Sequence, residues 1–380
     1  MKKILVATNS RGFLTNLFNY NFNNYSFIYE EKKMYETKSI KRKLLSKIIK
    51  LRLFDFLGVI QVINCLNYQG DEDIIFSFNR FTKTKKPYFI YLENPLALVH
   101  YSIGRPHTYL SKKKLRKLFS DKNLKGIICM SKACYETLGN IYDIPKELEI
   151  SQVYPLIPDA KLNKVQRDYI HCLYVSSNFY LKSGREILES HKHLMNKGLK
   201  VKFTIITKIA EIKSDDLLYI KSNKNSIKLV EFNLNKSELS NIYNESDILI
   251  NVSRQESFGL SILEAMKYGN VILSTDLYAQ KEMVIDKFNG YRIAPKYYFF
   301  TQDNMPNPKV WNNRRNTIYS EYVDDRIIQF LFEKIMKLEL DRELLAKMAF
   351  NSFEKANSYK FSSEIISKEW EHLFERIEEY

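Results

Sequence analysis

The chain has 380 residues, of which 45% are hydrophobic and 27% charged, and its formal net charge is +15. The composition excludes low-complexity and collagen-like chains, the length suits two domains, and no apolar run approaches the roughly 20 residues that cross a bilayer. The start, MKKILVATNS, turns polar at Thr8, too soon for a secretory signal, so we expect a cytoplasmic protein. The four cysteines lack CxxC spacing and are expected to be reduced.

The positive charge is concentrated in the first half of the sequence. Residues 1–165 contain 28 Lys and Arg against 14 Asp and Glu, whereas residues 166–380 contain 31 against 30. This asymmetry predicts two domains with different partners, the first of which meets something anionic.

Short apolar runs alternate with helical patterns along the first half. Strands are predicted at 4–7, 73–78, 88–91 and 126–130, and helices at 41–54 and 111–120. This order predicts a parallel sheet covered on both faces. Residues 153–164, VYPLIPDAKLNK, contain two prolines and interrupt the alternation of strands and helices, so they are predicted to be a linker.

The second half repeats the alternation. Strands are predicted at 170–175, 201–206, 227–231, 247–252 and 271–274, and helices at 183–197, 236–245, 259–268 and 278–285. Residues 296–320 read as an irregular insertion, followed by helices at 322–338, 341–356 and 361–379. Short strands that are each followed by a helix are typical of a doubly wound nucleotide-binding sheet. The fold class is therefore α/β, with two doubly wound Rossmann-like domains facing a cleft.

The stretch SRQESFGLSILEAMKYGN, residues 253–270, carries the chemistry that is easiest to interpret. It follows a predicted strand and opens a predicted helix, whose N-terminal N–H groups and dipole suit a phosphate. Gly259 lets a ligand approach the backbone. Glu264, one turn into the helix, can accept from ribose hydroxyls, and Glu256 can face a sugar. Alternatively, Glu256 and Ser257 only cap the helix and Glu264 is solvated.

A family resemblance bears on this choice. The pattern E-S-F-G-L-S-x-L-E-A-M-x-x-G, followed by an apolar strand and Ser-Thr-Asp, resembles the signature of retaining GT-B glycosyltransferases of the large family numbered four, with Glu256 and Glu264 as its paired glutamates. The segment LYVSSNFYLKSGREILES places Lys182 at the family's diphosphate lysine. Asn289-Gly290 and the last helix with Trp370 also match the family's order.

The resemblance implies that each of these residues binds a different part of the donor. Glu264 would hold the ribose and Lys182 the donor diphosphate, while Glu256 would contact the donor sugar. Donor binding would also involve the segment from Ser257 to Leu260, with backbone N–H groups around Phe258, Gly259 and Leu260 cradling the phosphates. No metal and no other cofactor is expected. The implied domains are 1–165 on the acceptor side, 166–360 for the nucleotide sugar, and a C-terminal helix, 361–380, that crosses back to the first.

Three positions depart from the family pattern. Ser177 stands where members usually carry an arginine, for which Arg185 or Arg254 could substitute. The loop after the first strand, often Gly-Gly, retains only Gly12, which we assign to donor binding. Glu93 and Asn94 stand where a histidine of the first domain is expected, and Glu93 is the candidate catalytic residue on the acceptor side. Two histidines lie nearby as further candidates, His100 and His107.

Other charged motifs are better explained without a metal. Asp71-Glu72-Asp73 imitates a DxD motif but precedes its strand instead of following it, and His191-Lys192-His193 spaces its imidazoles on diverging sides of a helix. Walker A, HExxH, GxSxG and GxGxxG patterns do not occur in the sequence.

Two basic helical segments suggest an anionic membrane surface as a partner. Residues 41–54 combine an apolar face with six Lys and Arg, and residues 111–120 add a second basic cluster. The alternative is an apolar face packed on the sheet with solvated lysines. Nucleic acid would explain the charge equally well but not Glu256, Glu264 and Lys182, so none is expected.

The sequence thus predicts a retaining, metal-independent hexosyltransferase that moves a sugar from a UDP- or GDP-sugar to a lipid-linked or polysaccharide acceptor. The setting would be cell-envelope glycan synthesis on the cytoplasmic face of the membrane, with peripheral attachment. The alternative is a non-catalytic nucleotide-sugar-binding GT-B protein that recruits another transferase to the membrane.

Overall fold

The computed structural model describes residues 1–8, 12–30, 48–49, 52–66 and 70–379 of the chain. The residues form two compact units. The first comprises Met1–Ile157 together with Phe361–Tyr380, and the second comprises Pro158–Lys360. The break between the units at 157/158 falls inside the stretch predicted to be a linker.

The first unit is built on a parallel sheet. Among its described residues the strands of this sheet are β1 (Lys2–Val6), β2 (Tyr25–Ile28), β4 (Ile74–Phe78), β6 (Tyr88–Leu92), β7 (Leu124–Cys129) and β8 (Glu149–Gln152). Their order is β2-β1-β4-β6-β7-β8. Chain order reverses between β1 and β4, as in a flavodoxin-like doubly wound sheet. A small sheet pairs β3 (Val62–Asn64) with β5 (Phe81–Lys83).

Helices cover this sheet and account for the predicted helical patterns where they are described. They are α1 (Leu14–Phe18), α2 (Arg52–Phe56), α3 (Tyr109–Phe119) and α4 (Lys132–Ile141), with 3-10 turns at Pro95–Val99 and Arg105–His107. The central strands β4 and β6 are buried at every position, which is why their continuous apolar runs were recognisable. Strands β2 and β8 were not predicted, because their residues are largely half-buried and lack such a run.

The C-terminal helix α13 (Ser363–Glu379) packs within the first unit. Trp370 is fully buried, and its ring centroid lies 5.0 Å from that of Tyr91 and 6.1 Å from that of Phe89, both on β6. Arg376 forms an ion pair with Glu149 on β8 at 2.7 Å. Aromatic burial of this size stabilises the docking of the helix on the sheet.

The second unit, every residue of which is described, contains a six-stranded parallel sheet. Its strands are β9 (Ile170–Val175), β10 (Val201–Thr207), β11 (Ile227–Glu231), β12 (Ile248–Asn251), β13 (Val271–Thr275) and β14 (Gly290–Ile293). Their order is β11-β10-β9-β12-β13-β14, the strand order of a dinucleotide-binding Rossmann sheet. The predicted fold class, two doubly wound Rossmann-like domains, is confirmed.

The helices of the second unit follow the predicted pattern closely. They are α5 (Gly184–Asn196), α6 (Ser214–Ser222), α7 (Lys236–Glu245), α8 (Leu260–Lys267), α9 (Gln280–Met283), α10 (Pro308–Trp311), α11 (Asp325–Leu340) and α12 (Arg342–Asn357), with 3-10 turns at Ile209–Glu211 and Arg314–Asn316. The predicted helix at 278–285 is shorter in the structure, since only Gln280–Met283 is helical.

The insertion at 296–320 has an aromatic core of its own. The rings of Phe299 and Trp311 are stacked with centroids 4.1 Å apart, and the Trp311 indole N–H donates to the Phe299 carbonyl at 2.7 Å. Phe300 stacks on Tyr278 at 4.0 Å, outside the insertion. The segment predicted to be irregular therefore contains one short helix, α10, and one 3-10 turn, and buried rings fix its conformation.

The predicted basic helix at 41–54 lies largely outside the described residues. Residues 48–49 and 52–54 are described, and helix α2 begins at Arg52. Within the part of the chain that is described, no helix is both long and apolar enough to span a bilayer.

Candidate donor site

Two loops meet where the strand order of the second sheet reverses. Strands β9 and β12 are neighbours although the chain leaves β9 toward β10, so the loops after β9 and after β12 lie side by side at the carboxyl ends. A backbone hydrogen bond from Arg254 to the Leu181 carbonyl, 3.1 Å long, joins them directly. Open α/β sheets bind ligands at such a point.

The two loops bring Lys182 and Glu256 together. The Lys182 ammonium lies 2.6 Å from Glu256 Oε2 and also donates to the Gln255 carbonyl at 2.6 Å. The other carboxylate oxygen of Glu256 accepts from the Ser257 N–H at 3.1 Å. Both side chains are 20% exposed, so the charges are held in place and remain within reach of a ligand. Their pairing sets an ammonium, which attracts phosphate, beside a carboxylate that can accept from a hydroxyl.

Helix α8 begins directly after this pair, and its N-cap is Gly259 with φ +93° and ψ +54°. No side chain caps the helix. The alternative that Glu256 and Ser257 serve as caps is therefore wrong. A Cβ at Gly259 would lie 3.2 Å from Ile262 Cδ1. The backbone at this position also has a positive φ, which residues with a side chain rarely adopt. Phe258 is buried and anchors the turn, while Leu260 opens the first helical turn, in which the N–H groups of Ile262 and Leu263 donate to the Gly259 carbonyl at 2.9 and 3.4 Å.

A buried polar network at the ends of β12 and β13 supports the same turn. Asn251 at the end of β12 donates to Ser261 Oγ at 3.0 Å and accepts from the Gln280 amide at 3.2 Å. Thr275 at the end of β13 donates to the Ser253 carbonyl at 2.7 Å. Buried groups that are hydrogen-bonded in this way fix a loop in one conformation. The turn is thus pre-arranged by Asn251, Thr275 and Gln280, which belong to no motif recognisable in the sequence.

Glu264 lies on α8 and is half-buried, not solvated as the capping alternative required. Tyr243 on α7, which is buried, donates its hydroxyl to Glu264 Oε2 at 2.9 Å. Burial raises the pKa of Glu264 to about 7, against the opposing effects of the Tyr243 hydrogen bond and the Lys236 charge. Tyr243 was missed, because its contact spans 21 residues and joins two helices that no local motif connects.

Neither candidate substitute for the family arginine is available as a mobile cation. Arg254 is buried, with its guanidinium 2.9 Å from Glu186 Oε1 and 3.9 Å from the ring centroid of Tyr322. It also donates to two backbone carbonyls, those of Ser320 and Tyr322. Arg185 pairs with Asp216 at 3.3 Å. Ser177 itself is exposed. Arg254 is therefore a structural clamp between the β12 loop and the segment before α11.

The two site candidates of the first domain lie in the first unit. Glu93 directly follows β6, and its N–H donates to Asn79 Oδ1 at 2.8 Å. Gly12 lies between β1 and α1, and its carbonyl accepts from Thr15 Oγ1 at 2.6 Å. Both follow strands of the sheet, but their proposed roles in donor binding and catalysis stay predictions. His107 is exposed, and His100 closes a 3-10 turn with φ +56°.

The charged motifs set aside on sequence grounds have structural roles. Asp71 pairs with the Lys3 ammonium at 2.6 Å at the entry to β4. His191 is buried between Tyr219 and Ser226, with ring nitrogens 2.7 and 3.0 Å from their hydroxyls. Burial lowers the pKa of His191 to about 4, so the ring is neutral at pH 7. Across the described ranges, no group of three or more His, Cys, Asp and Glu side chains is arranged to hold a metal ion.

Known proteins are similar to this chain in sequence and in structure. Residues 160–298 match the model of the family described as Glycosyl transferases group 1. The GtfA subunit of the UDP-N-acetylglucosamine–peptide N-acetylglucosaminyltransferase of Streptococcus pneumoniae is 27% identical over 142 residues, which is 37% of this chain and 23% of GtfA. The chain thus matches only a part of this relative.

Two solved structures are similar over more of the chain. HepE from Anabaena, determined in complex with UDP and glucose, has a TM-score of 0.59 at 14% identity and covers 99% of this chain and 100% of its own. TarM from S. aureus has a TM-score of 0.55 at 16% identity and covers 79% of this chain, which spans 54% of TarM. At these identities the likeness shows a shared fold.

The family match covers β9 to β14 and with them Lys182, Glu256 and Glu264. The resemblance drawn from the motif is confirmed at the level of family and fold. Residues 160–298 match the family of glycosyl transferases group 1, and the chain has the fold of the GT-B glycosyltransferases.

Proposed function

We propose that this protein is a retaining, metal-independent glycosyltransferase that transfers a hexose-type sugar from a UDP-sugar to a lipid-linked or polysaccharide acceptor. The observation that carries the proposal is the 2.6 Å contact between Lys182 and Glu256 at the strand-order reversal, directly ahead of helix α8. A nucleotide-sugar transferase needs a cation that binds the diphosphate and a hydrogen-bond acceptor for the hydroxyls of the donor sugar. The Lys182 ammonium and the Glu256 carboxylate supply these two groups side by side.

The three parts of a nucleotide sugar have candidate partners in the second unit. The diphosphate lies against Lys182 and the N–H groups of the Gly259 turn, the ribose against Glu264, and the sugar against Glu256. UDP is favoured over GDP because HepE was determined with UDP and glucose, and the pneumococcal O-GlcNAc transferase GtfA with UDP and GlcNAc. These donors belong to those proteins and enter here as the first compounds to test.

The chemistry follows from where charge develops during transfer. As the UDP leaving group departs, negative charge grows on its diphosphate oxygens while the sugar becomes oxocarbenium-like. A fixed ammonium and backbone N–H groups stabilise that charge electrostatically, and they need no reorganisation at the moment of reaction. Lys182 and the start of α8 would supply this stabilisation in place of a divalent cation.

The first unit would receive the acceptor. Glu93 stands at the carboxyl end of a central strand, and its backbone is fixed by Asn79, so its side chain starts from a defined position. We assign it the role of contacting the acceptor hydroxyl.

A surface of the first unit supports attachment to an anionic membrane. Large apolar side chains are exposed on α2 and at the start of α3, with Phe56 69% and Tyr109 78% exposed. Thr108 donates to the Asp55 carbonyl at 2.9 Å and Lys114 to the Leu57 carbonyl at 2.8 Å, which ties the two segments together. We call this surface the apolar tip; it consists of Leu53, Phe56, Leu57, Tyr109 and Leu110.

Basic side chains continue from the apolar tip along α3. They are exposed and comprise Lys112, Lys113, Arg116 and Lys117. Apolar and aromatic side chains that enter the headgroup region, next to lysines that meet anionic lipids, form the usual surface of a peripheral membrane protein. The described part of the first unit thus supplies a basis for membrane attachment without the residues 41–47.

The test of the proposed activity is the release of UDP from UDP-glucose and UDP-N-acetylglucosamine by the whole chain, in EDTA and in Mg²⁺. Slow release from one donor, equal under both conditions and lost in Lys182→Met, supports the proposal. Binding of UDP without any release, with or without an added glycan acceptor, would favour the non-catalytic binding protein instead. Product anomers resolved by NMR decide whether the transfer retains configuration.

A further inference from the structure

A pocket lies in the second unit, formed by residues to which the proposed transfer assigns no role. Its volume is about 620 Å³, within the range of small-molecule sites. One wall comes from the loop between α9 and β14, with Ile285 and Phe288, and the other from the end of α12 and the turn after it, with Phe350, Lys355 and Tyr359.

The first wall is held in a fixed conformation by Asn289 and Gly290, the pair that matched the family pattern. The Asn289 side chain accepts from the Ile285 N–H at 2.8 Å and donates to the Met283 carbonyl at 3.1 Å. A Cβ at Gly290 would lie 2.1 Å from the Ile272 carbonyl oxygen, so only glycine allows this approach to β13. The loop is therefore rigid, although it is at the surface.

The loop and helix are also bonded to each other. The Asn351 amide on α12 donates to the Phe288 carbonyl at 3.0 Å, so the two walls keep their spacing. Between them Phe350 is 54% and Tyr359 62% exposed, and Ile285 and Phe288 are exposed as well. Four large apolar side chains around one rigid pocket leave apolar surface in water, which a ligand with an apolar body would cover.

The rim of the pocket is positively charged on one side. Lys355 and Lys360 both line it, with Glu354 as the acidic lining residue. Burial, aided by the positive charges of Lys360 and Arg292 and opposed by Glu282, lowers the pKa of Lys355 to about 8. The two lysines give this part of the lining positive charge, which attracts an anion.

We propose that this pocket binds an anionic amphiphile, a molecule with a phosphate or carboxylate group on an apolar body. The anion lies between Lys355 and Lys360, and the apolar body covers Ile285, Phe288, Phe350 and Tyr359. Neither an apolar ligand nor a simple anion would use both features of the pocket. The inference is independent of the proposed glycosyl transfer, since it uses no residue of the Lys182–Glu256 site.

The test is calorimetric titration of the whole chain with decyl phosphate and decanoate below their micelle concentrations. Decyl maltoside and inorganic phosphate are the neutral and the purely anionic controls. We expect both anionic amphiphiles to bind, and both controls to bind at least about tenfold more weakly. Equal binding of decyl maltoside would overturn the anion site, and equal binding of inorganic phosphate would overturn the apolar one.

Two substitutions and a matched control locate the binding. Lys355→Gln and Phe350→Ser should each weaken decyl phosphate by about tenfold, whereas Lys347→Gln, an exposed residue of α12 outside the pocket, should leave it unchanged. A cooperative thermal transition like that of the wild type shows that each variant is folded. If folded Lys355→Gln and Phe350→Ser both bind like the wild type, the ligand binds elsewhere and the proposal fails.

A further arm identifies the source of the amphiphile. Co-sedimentation with phosphatidic acid vesicles, compared between Leu53→Ser/Phe56→Ser protein with and without Lys355→Gln so that the apolar tip does not contribute, measures whether the pocket takes a lipid from a membrane. A loss in the variant supports a membrane lipid as ligand. Vesicle binding that is unchanged, together with weakened decyl phosphate binding, supports a soluble amphiphile. Wild-type protein that binds neither vesicles nor decyl phosphate overturns the proposal.

Discussion

Lys182 and Glu256 are 74 residues apart in the sequence and 2.6 Å apart in the structure. The contact joins the loops after two strands that the Rossmann order makes neighbours. A diphosphate that binds Lys182 has to share its ammonium with Glu256 and with the Gln255 carbonyl. Glu256 therefore has two expected effects, an unfavourable one on a bare nucleotide and a favourable one on a nucleotide that carries a sugar.

Glu256→Gln separates these two effects. The substitution removes the carboxylate charge but keeps the shape, so Lys182 has more of its charge available to the diphosphate. We expect the affinity of the variant for free UDP to equal that of the wild type or to exceed it by up to about tenfold. The rate of UDP release from the UDP-sugar should fall by about 100-fold. Calorimetry and a coupled UDP assay measure the two quantities. Equal losses in both would place Glu256 in the structural support of the loop.

The pH dependence of UDP binding reports on Glu264. Its pKa is raised to about 7, so below pH 7 most molecules carry a protonated carboxyl, and above it a carboxylate. If ribose hydroxyls donate to the carboxylate, UDP binding favours the ionised form and releases the proton. The affinity should then rise by up to about tenfold per pH unit below pH 7 and level off above it.

Glu264→Gln is the control for this titration, because the terminal phosphate of UDP loses a proton near pH 6 whichever protein is titrated. The amide variant should keep only the contribution of the phosphate. A pH profile identical to that of the wild type would mean that Glu264 does not contact the nucleotide.

Tyr243→Phe tests whether the hydroxyl that holds Glu264 positions it for binding. The variant loses one hydrogen bond of 2.9 Å, and it should raise the pKa of Glu264 further, because that bond lowers it. We expect UDP binding to weaken by about three- to tenfold at pH 7 and to recover toward the wild-type value at pH 8.5. Tyr268→Phe, at the ring stacked 6.1 Å from Tyr243, is the matched control and should change neither value.

Gly259→Ala tests the turn at the start of α8. With φ at +93° and Ile262 Cδ1 3.2 Å from the added Cβ, the variant should lose about 1–3 kcal/mol of stability and most of its UDP affinity. Gly139→Ala is the control, since Gly139 lies in helix α4 with nothing within 4 Å of its Cβ position. Thermal unfolding should show a loss for the first variant and no change or a small gain for the second.

Membrane attachment through the apolar tip is tested by co-sedimentation with vesicles that contain phosphatidylglycerol. Phe56→Ser with Leu53→Ser should weaken binding by about tenfold or more, and charge reversal at Lys112, Lys113 and Lys117 should do so in low salt. Charge reversal at Lys347, on the second unit, is the control. If both sets of variants sediment with vesicles like the wild type, the apolar tip is an ordinary solvated surface.

Much of the fold could be predicted because its signals are local. Strands such as 170–175 and 227–231 were predicted to the residue, since each is a stretch of strand length that is rich in large apolar side chains. Strand β2 escaped prediction because its half-buried residues carry no clear alternation. The site was predictable only where a motif encodes it. Tyr243 and the Arg254–Glu186 clamp depend on contacts between distant segments, which no spacing in the sequence reveals.

The most direct test of the central claim is titration calorimetry of the whole chain with UDP and with GDP, repeated on Glu264→Ala. We expect micromolar binding of UDP, weaker binding of GDP, and a loss of UDP affinity of at least about tenfold in the variant. UDP that fails to bind the wild type, or that binds both proteins equally, would contradict the assignment of Lys182, Glu256 and Glu264 as a nucleotide-sugar site.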